Sequence, residues 1–271
     1  MKTLFFPIIT IFALGYATGV RGALIVYHEF ESETAGVFTD TAGSFDGTSE
    51  PSAGLLDTGT KKIGSGSASL NGSAHIDLGN TDSSLTGISG FTLSTWIRPT
   101  NTSSGDRTIF GNTDTNKASV ILRMDGSELE LGMFTGGNWN GSPNVNKTSG
   151  AGLAANTWTH IALVWDGDYA TIYTDGTFEK SFNMANGTLD RQGVAPAPSA
   201  AIGAFNGDGA QYFIGHIDDF AIWDEALTST QIMGLANETL TPSVIPEPST
   251  ALLVVGGLFA SLLFSRKRTS K

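Results

Sequence analysis

The sequence predicts an all-β fold, a two-sheet antiparallel sandwich with one short helix near its C-terminal side. Three observations predict it. Short runs rich in β-branched and aromatic residues recur along the chain, as they do in sandwiches built from many short strands. Asp-Gly and Asn-Gly pairs, drawn from 34 glycines, punctuate these runs and supply the positive φ that tight hairpin turns require. Only Thr228-Ser229-Thr230-Gln231 carries a helix start, a capping box in which the threonine oxygen and the glutamine amide satisfy opposite ends of the first turn.

The elements follow in order. Ala23 to Phe30 opens as a strand, and Glu31 to Gly64 is polar, glycine-rich and read mostly as loop. Strands resume at Ala68 to Leu70 and His75 to Leu78, across Asn71-Gly72. Phe91 to Arg98 alternates, placing Phe91, Leu93 and Ile97 on one face and Thr92, Ser94, Trp96 and Arg98 on the other; Pro99 is expected to end it. Further strands are predicted at Thr108 to Phe110, Val120 to Met124 and Glu128 to Phe134, and Gly136 to Gly152 reads as a long loop carrying Trp139. Thr159 to Trp165, Ala170 to Thr174 and Thr177 to Phe182 form three strands around Asp166-Gly167-Asp168 and Asp175-Gly176. The first is apolar on both faces and therefore central. Ala200 to Ile202, Tyr212 to Trp223 and the helix from Thr228 to about Ala236 complete the set.

Composition narrows the function. Cysteine is absent, which removes disulfide frameworks and thiolate metal sites. The formal charge is −11, yet between Ala23 and Ile245 stand 25 acidic residues, all 26 but Glu247, against nine basic ones, because six of the 15 lie in the two ends. That balance of −16 repels nucleic acid and anionic lipid and attracts cations.

The ends read as addresses. Residues 1–22 have the order of a secretory signal peptide: a lysine, an apolar run, then Val20-Arg21-Gly22 before Ala23. Residues 241–271 hold Pro246-Glu247-Pro248-Ser249-Thr250, an apolar stretch from Ala251 to Phe264, and Arg266, Lys267 and Arg268. The stretch is short for a full span but can lodge in a bilayer with its basic flank on the cytoplasmic side. This order resembles the PEP-CTERM sorting signal of Gram-negative-type bacteria. The resemblance implies recognition of Pro246, Glu247, Pro248 and the Arg266, Lys267, Arg268 cluster by an exosortase-type processing enzyme. It also implies transient anchoring through the C-terminal helix, then delivery to the cell surface or exopolysaccharide matrix.

Residues 23–240 resemble a second family. FTLSTWIRP, WTHIALVWDG, IYTDG and FIGHIDDFAIWDEALTSTQI, in that order, and KIGSGSASLNGSAHIDL before them, are similar to the laminin G-like, concanavalin A-like jelly-roll domain, in particular its pentraxin-related bacterial branch. The N-terminal loop departs from the family's Asp-x-Ser-Gly-Asn, having Asp40-Thr41-Ala42-Gly43-Ser44. The resemblance implies a calcium ion held by an N-terminal acidic residue and an aspartate of the last long strand, here from among Glu31, Asp40, Asp46, Asp218 and Asp219; the same residues also read as solubilising or turn charges. Strand alternation is expected to let only one of Asp218 and Asp219 join a given site.

Hydrolytic relatives place two glutamates around an aspartate on one strand face, where one can attack while the other protonates the leaving group. No such strand occurs here. Glu128 and Glu130 share a face with no aspartate and read as a solvated edge. The histidines lack zinc spacing, and His160 reads as a hydrogen-bonded core residue. No enzymatic activity is expected. Trp96, Trp158, Trp165 and Trp223 fall in strand segments and read as packing residues. Trp139, between Asn138 and Asn140, offers a ring face and amides to a sugar, or folds back on the sandwich. The sequence thus reads as an exported, non-catalytic carbohydrate-binding or adhesion module with a glycan or matrix polymer as partner. Its rivals are a polysaccharide hydrolase or lyase on the same fold and a purely structural surface protein.

Overall fold

In the computed structural model, residues 23–43, 45–114, 117–140, 152–184, 187–190, 199–207 and 209–245 are described. They belong to one compact unit, Gly22–Pro246. The signal-peptide reading of residues 1–22 and the sorting signal from Pro246 onward lie outside the described residues. Among those described, no helix is long and apolar enough to cross a membrane.

Among the described residues, sixteen strands pair into two sheets. The first holds β1 (Leu24–His28), β4 (Leu56–Asp57), β5 (Ser67–Asn71), β7 (Phe91–Pro99), β12 (Thr159–Trp165), β13 (Tyr169–Thr174), β14 (Thr177–Asn183) and β16 (Ile214–Trp223), in the order β14-β13-β12-β7-β16-β5-β4 with β1 also paired to β16. The second holds β2 (Val37–Phe38), β3 (Gly47–Glu50), β6 (His75–Gly79), β8 (Asp106–Asp114), β9 (Lys117–Asp125), β10 (Glu128–Thr135), β11 (Asn138–Asn140) and β15 (Ala200–Ile202), in the order β11-β10-β9-β8-β15-β6-β3-β2. Every ladder between named strands is antiparallel.

The predicted strand alternation sets the core. Phe91, Leu93 and Ile97 of β7, Ile161, Leu163 and Trp165 of β12, and Ile217, Phe220 and Ile222 of β16 are buried in one cluster with Ile109, Phe110, Leu122 and Leu131 of the opposing sheet. β12 is buried at every position, as expected of a central strand. Its hairpin partner β13 leads to β14 through Asp175 and Gly176, both at positive φ (46° and 75°), the geometry of the tightest hairpin turns.

The outward face of the first sheet is not free either. Helix α2 (Ser229–Ala236), which follows the one-turn helix α1 (Asp82–Leu85) in the chain and has the capping box at Thr228 formed as predicted, lays Ile232 and Leu235 on Ala162, Val164, Ala221 and Trp223. Thus the second set of alternating residues is apolar because it meets a helix.

Several expectations change. The Glu31 to Gly64 region contributes β2, β3 and β4, too short to carry a period. A one-turn helix at Asp82–Leu85 and a 3₁₀ turn at Pro242–Val244 also escaped the pattern. Pro99 closes β7 from within it. Asn138–Asn140, expected as loop, pairs with β10, with Trp139 opposite Phe134 in the register. Glu130 is not a solvated edge residue. It is 2 % exposed and its Oε2 accepts from Arg123 Nε at 2.8 Å, because β9 lies beside β10 and sets Arg123 directly opposite.

Candidate functional site

Alternation on β7 and β12 sends Arg98, Trp96 and Ser94, and His160, to the outward face of the first sheet, where Trp158, just before β12, shares the parity of His160 and β16 adds His216 and Asp218. The registers make rows across three strands, His160 opposite Trp96 opposite Asp218, and Arg98 opposite His216. The Trp158 ring meets His216 edge-on, with centroids 6.3 Å apart. Helix α2 covers one part of this face, and the segment 58–66 covers the part holding Trp96, His160 and Asp218.

The covered row is sealed. His160 and Ser94 are 1 % and 2 % exposed, and Ser94 Oγ lies 2.8 Å from His160 Nε2. A serine beside a histidine is the start of a nucleophile and base pair. Here no carboxylate meets His160 Nδ1, which is buried without a partner. Burial, aided by the Lys62 charge, holds the imidazole down to about 3. The pair is a core contact, as the sequence suggested for His160. Lys62 lies over the Trp96 ring, 4.2 Å from its centroid, and is ion-paired to Glu238 beyond α2.

Asp218 pins the covering segment. Its Oδ2 accepts the backbone N–H groups of Lys62 (2.8 Å) and Ile63 (3.0 Å), while Oδ1 is buried without a partner. Burial pushes this carboxyl up to about 7, although the two backbone donors pull it down. Asp219 is likewise raised to about 6 by burial, against the hydrogen bond from Tyr27. The expected alternation fails at this pair: β16 bulges between Asp218 and Ala221, with Asp219 at φ 52°. Ile217 and Phe220 both face the core, and the two aspartates between them bond to groups of the outward side, Asp219 to Tyr27 and Asp218 to the covering segment. A bulge inserts one residue and resets the period, which no alternation rule reveals.

The calcium candidates are therefore divided. Asp40 and Asp46 share a loop: Asp40 accepts from the N–H groups of Tyr27, Ala42 and Phe45, and Asp46 accepts from Asp40 N. Their role there is to shape the turn. Glu31 lies near Asp219, but its Oε2 accepts from the Ser65 backbone and hydroxyl. Calcium takes six to eight oxygens, and among the described residues no three acidic or histidine side chains converge on a metal-sized point. Trp139, Asn138 and Asn140 lie on β11, at the edge of the other sheet.

The remaining end of the outward face is partly open, and sequence reasoning missed it. Trp158, Arg98, His216 and Asp57 are each partly exposed. His216 Nε2 lies 2.9 Å from Asp57 Oδ2, and Asp57 is held below the usual carboxylate range by the Gly59 N–H and by His216. The turn before Trp158 is tied to β7, with Asn156 N donating to the Pro99 carbonyl at 2.7 Å. Gly215 lets β16 approach: it sits at φ 146°, and a Cβ there would run into the Arg98 carbonyl. The shared parity of Trp158 and His160 was readable, but the contact between Asp57 and His216, 159 residues apart, was not.

A twisted two-sheet antiparallel sandwich with one helix on an outer face is a lectin-type architecture, and the comparisons agree. The family model described as the concanavalin A-like lectin/glucanases superfamily (Laminin_G_3) matches residues 70–233, and the chain belongs to that family. It is similar to the neuronal pentraxin receptor of Homo sapiens, 27% identical over 177 residues, covering 62% of this chain and 33% of that protein. The receptor from Rattus norvegicus matches at 27% over 191 residues, covering 67% and 37%. The chain thus spans about a third of the length of these curated relatives. Among solved structures it is similar in fold to domain 4 of AbnA, a GH43 extracellular arabinanase from Geobacillus stearothermophilus in complex with arabinotriose. That match has a TM-score of 0.59 at 24% identity, covering 80% of this chain and all of that one. The receptor binding domain of botulinum neurotoxin mosaic serotype C/D matches at TM-score 0.58 and 17% identity, covering 80% and 51%. The serotype D ligand binding domain in complex with N-acetylneuraminic acid matches at 0.54 and 15%, covering 80% and 51%.

Proposed function

We propose that this protein is an exported, non-catalytic binding or adhesion module for a glycan or another matrix polymer. The carrying observation is the open end of the outward face, where the partly exposed Trp158 and Arg98 stand beside the His216–Asp57 pair, an aromatic body with convergent polar groups, the usual composition of a ligand site. Family membership supports it, as do sugar-bound domains of the same fold. Against a hydrolase stands the state of the groups such an enzyme would use: Ser94 and His160 are sealed, and Glu130 is tied to Arg123.

A glycan-array screen of the full chain tests the reading. Retention of one glycan class without reducing-end release supports it. Release of reducing ends makes the protein a hydrolase or lyase, and silence in both assays leaves a structural surface role. Trp139, Asn138 and Asn140 enter the proposal as a second aromatic and amide surface.

Delivery to the bacterial surface or matrix rests on the two ends. Deleting residues 246–271 should leave the protein in the periplasm or medium, whereas the intact chain is processed near Pro248 by an exosortase-type enzyme. Mass spectrometry of surface-recovered protein decides, and a C-terminus intact through Lys271 removes the processing. The calcium part of the reading rests on the acidity of the domain and is decided by a melt in chelator against millimolar calcium. A rise supports it, and an unchanged melt removes it.

A further inference from the structure

Arg98 is the feature of the open end that the fold does not explain. It is partly buried near the end of β7, on the outward sheet face, and among the described residues its guanidinium has no hydrogen-bond or ion-pair partner. None of its nitrogens is both buried and unpartnered, so its five N–H donors stay open to an incoming acceptor while the stem packs on the sheet. The nearby cation Lys62 is already paired, to Glu238, and Lys61 donates to the Thr58 carbonyl. Of the carboxylates on this face, Asp57 is bonded to His216 and Gly59, and Asp218 accepts from the Lys62 and Ile63 backbone through Oδ2. Arg98 thus stands opposite His216 in the register, beside the Trp158–His216 ring contact, with its donor fork unpaired.

We propose that this end of the sheet is a binding site for a carboxylate-bearing sugar ring. Arg98 takes the carboxylate, the Trp158 indole takes the C–H side of the ring, and Asp57, held in place by His216, takes its hydroxyls. This rests on the glycan reading above and names its ligand class. The planar guanidinium matches a carboxylate with two parallel hydrogen bonds, which a lysine cannot reproduce. An indole face suits the apolar side of a sugar. The domain balance of −16 opposes a dense polyanion at long range, so the site suits uronate residues spaced among neutral sugars. Geometry is fixed by Gly215, since β16 approaches β7 closely enough at Arg98 only without a side chain there.

The test uses the full chain and two immobilised probes: a polysaccharide with about one galacturonate residue in several neutral sugars, and the same polymer after reduction of its carboxyl groups. The expected result is binding to the first that falls at least tenfold on the second. Arg98→Leu and Trp158→Ala should each lose about tenfold or more on the uronate polymer, and Arg98→Lys several-fold. Arg98→Lys keeps charge and stem, so it guards against a folding failure in the other variants, and melting temperatures are read alongside. Equal binding to both polymers, or unchanged binding by Arg98→Lys and Arg98→Leu, overturns the carboxylate site while leaving the glycan reading intact. Absence of binding to every polysaccharide of the array overturns both.

Discussion

The Tyr27 hydroxyl donates to Asp219 Oδ1 at 2.6 Å, joining β1 to the bulge of β16 across 192 residues of sequence. Both residues are buried, and burial, reinforced by the Asp219 charge, raises the phenol well above its ordinary value. The contact closes the sheet at the place where its strand period breaks.

Tyr27→Phe removes that donor and leaves a buried carboxylate one hydrogen bond short. Hydrogen bonds to charged groups contribute about 1.5–3 kcal/mol, so urea denaturation at pH 8 should show a loss of that size. A midpoint equal to wild type would mean that water reaches Asp219 in place of the phenol.

Asp218 gives a pH signature. Its folded value, about 7, lies above the ordinary 3.8, so the folded state holds this proton more tightly than the unfolded chain. Its contribution is fully present below about pH 4 and is lost as pH rises through 7. His160, held down to about 3, acts with the opposite sign below pH 6.5, which flattens the wild-type curve there. Asp218→Asn isolates the carboxyl, because the amide oxygen can still accept from Lys62 and Ile63. The variant should gain on wild type between pH 5 and pH 8 in denaturant melts. Parallel curves would show that Asp218 is ionised throughout.

Arg123 and Glu130 form a pair 7 % and 2 % exposed, and Arg123 Nη1 also reaches Asp106 at 2.9 Å and Gln211 at 3.0 Å. Arg123→Leu strands Glu130 and should cost about 3–5 kcal/mol, whereas adding Glu130→Leu should restore most of it. A loss below about 1 kcal/mol would return the pair to the class of solvated surface bridges.

Trp139→Ala tests the second surface of the proposed function. If Trp139 stacks on sugar, binding should weaken by about 0.5–1.5 kcal/mol with the melting temperature nearly unmoved. A stability loss of about 3–5 kcal/mol, as in truncation of a buried tryptophan, withdraws the residue from the site.

The sequence by itself determined the sandwich, because long strands such as Phe91–Pro99 and Thr159–Trp165 carry their burial in their own period, and the α2 start, because its cap is written in adjacent residues. Local signals act over a few residues and need no fold to be read. Only the tertiary structure decided what the second face of each strand meets. Arg98 and Trp96 share one alternating face, yet segment 58–66 lies over Trp96 while Arg98 stays partly open. Glu130 read as solvated until β9 set Arg123 opposite it, and Asp218 and Asp219 read as pointing apart until the bulge at φ 52° changed the count. The open end of this face depends on Asp57 meeting His216 and on Gly215 admitting β16 beside Arg98. These are contacts between segments far apart in the chain, and their energies depend on burial, which no single segment contains.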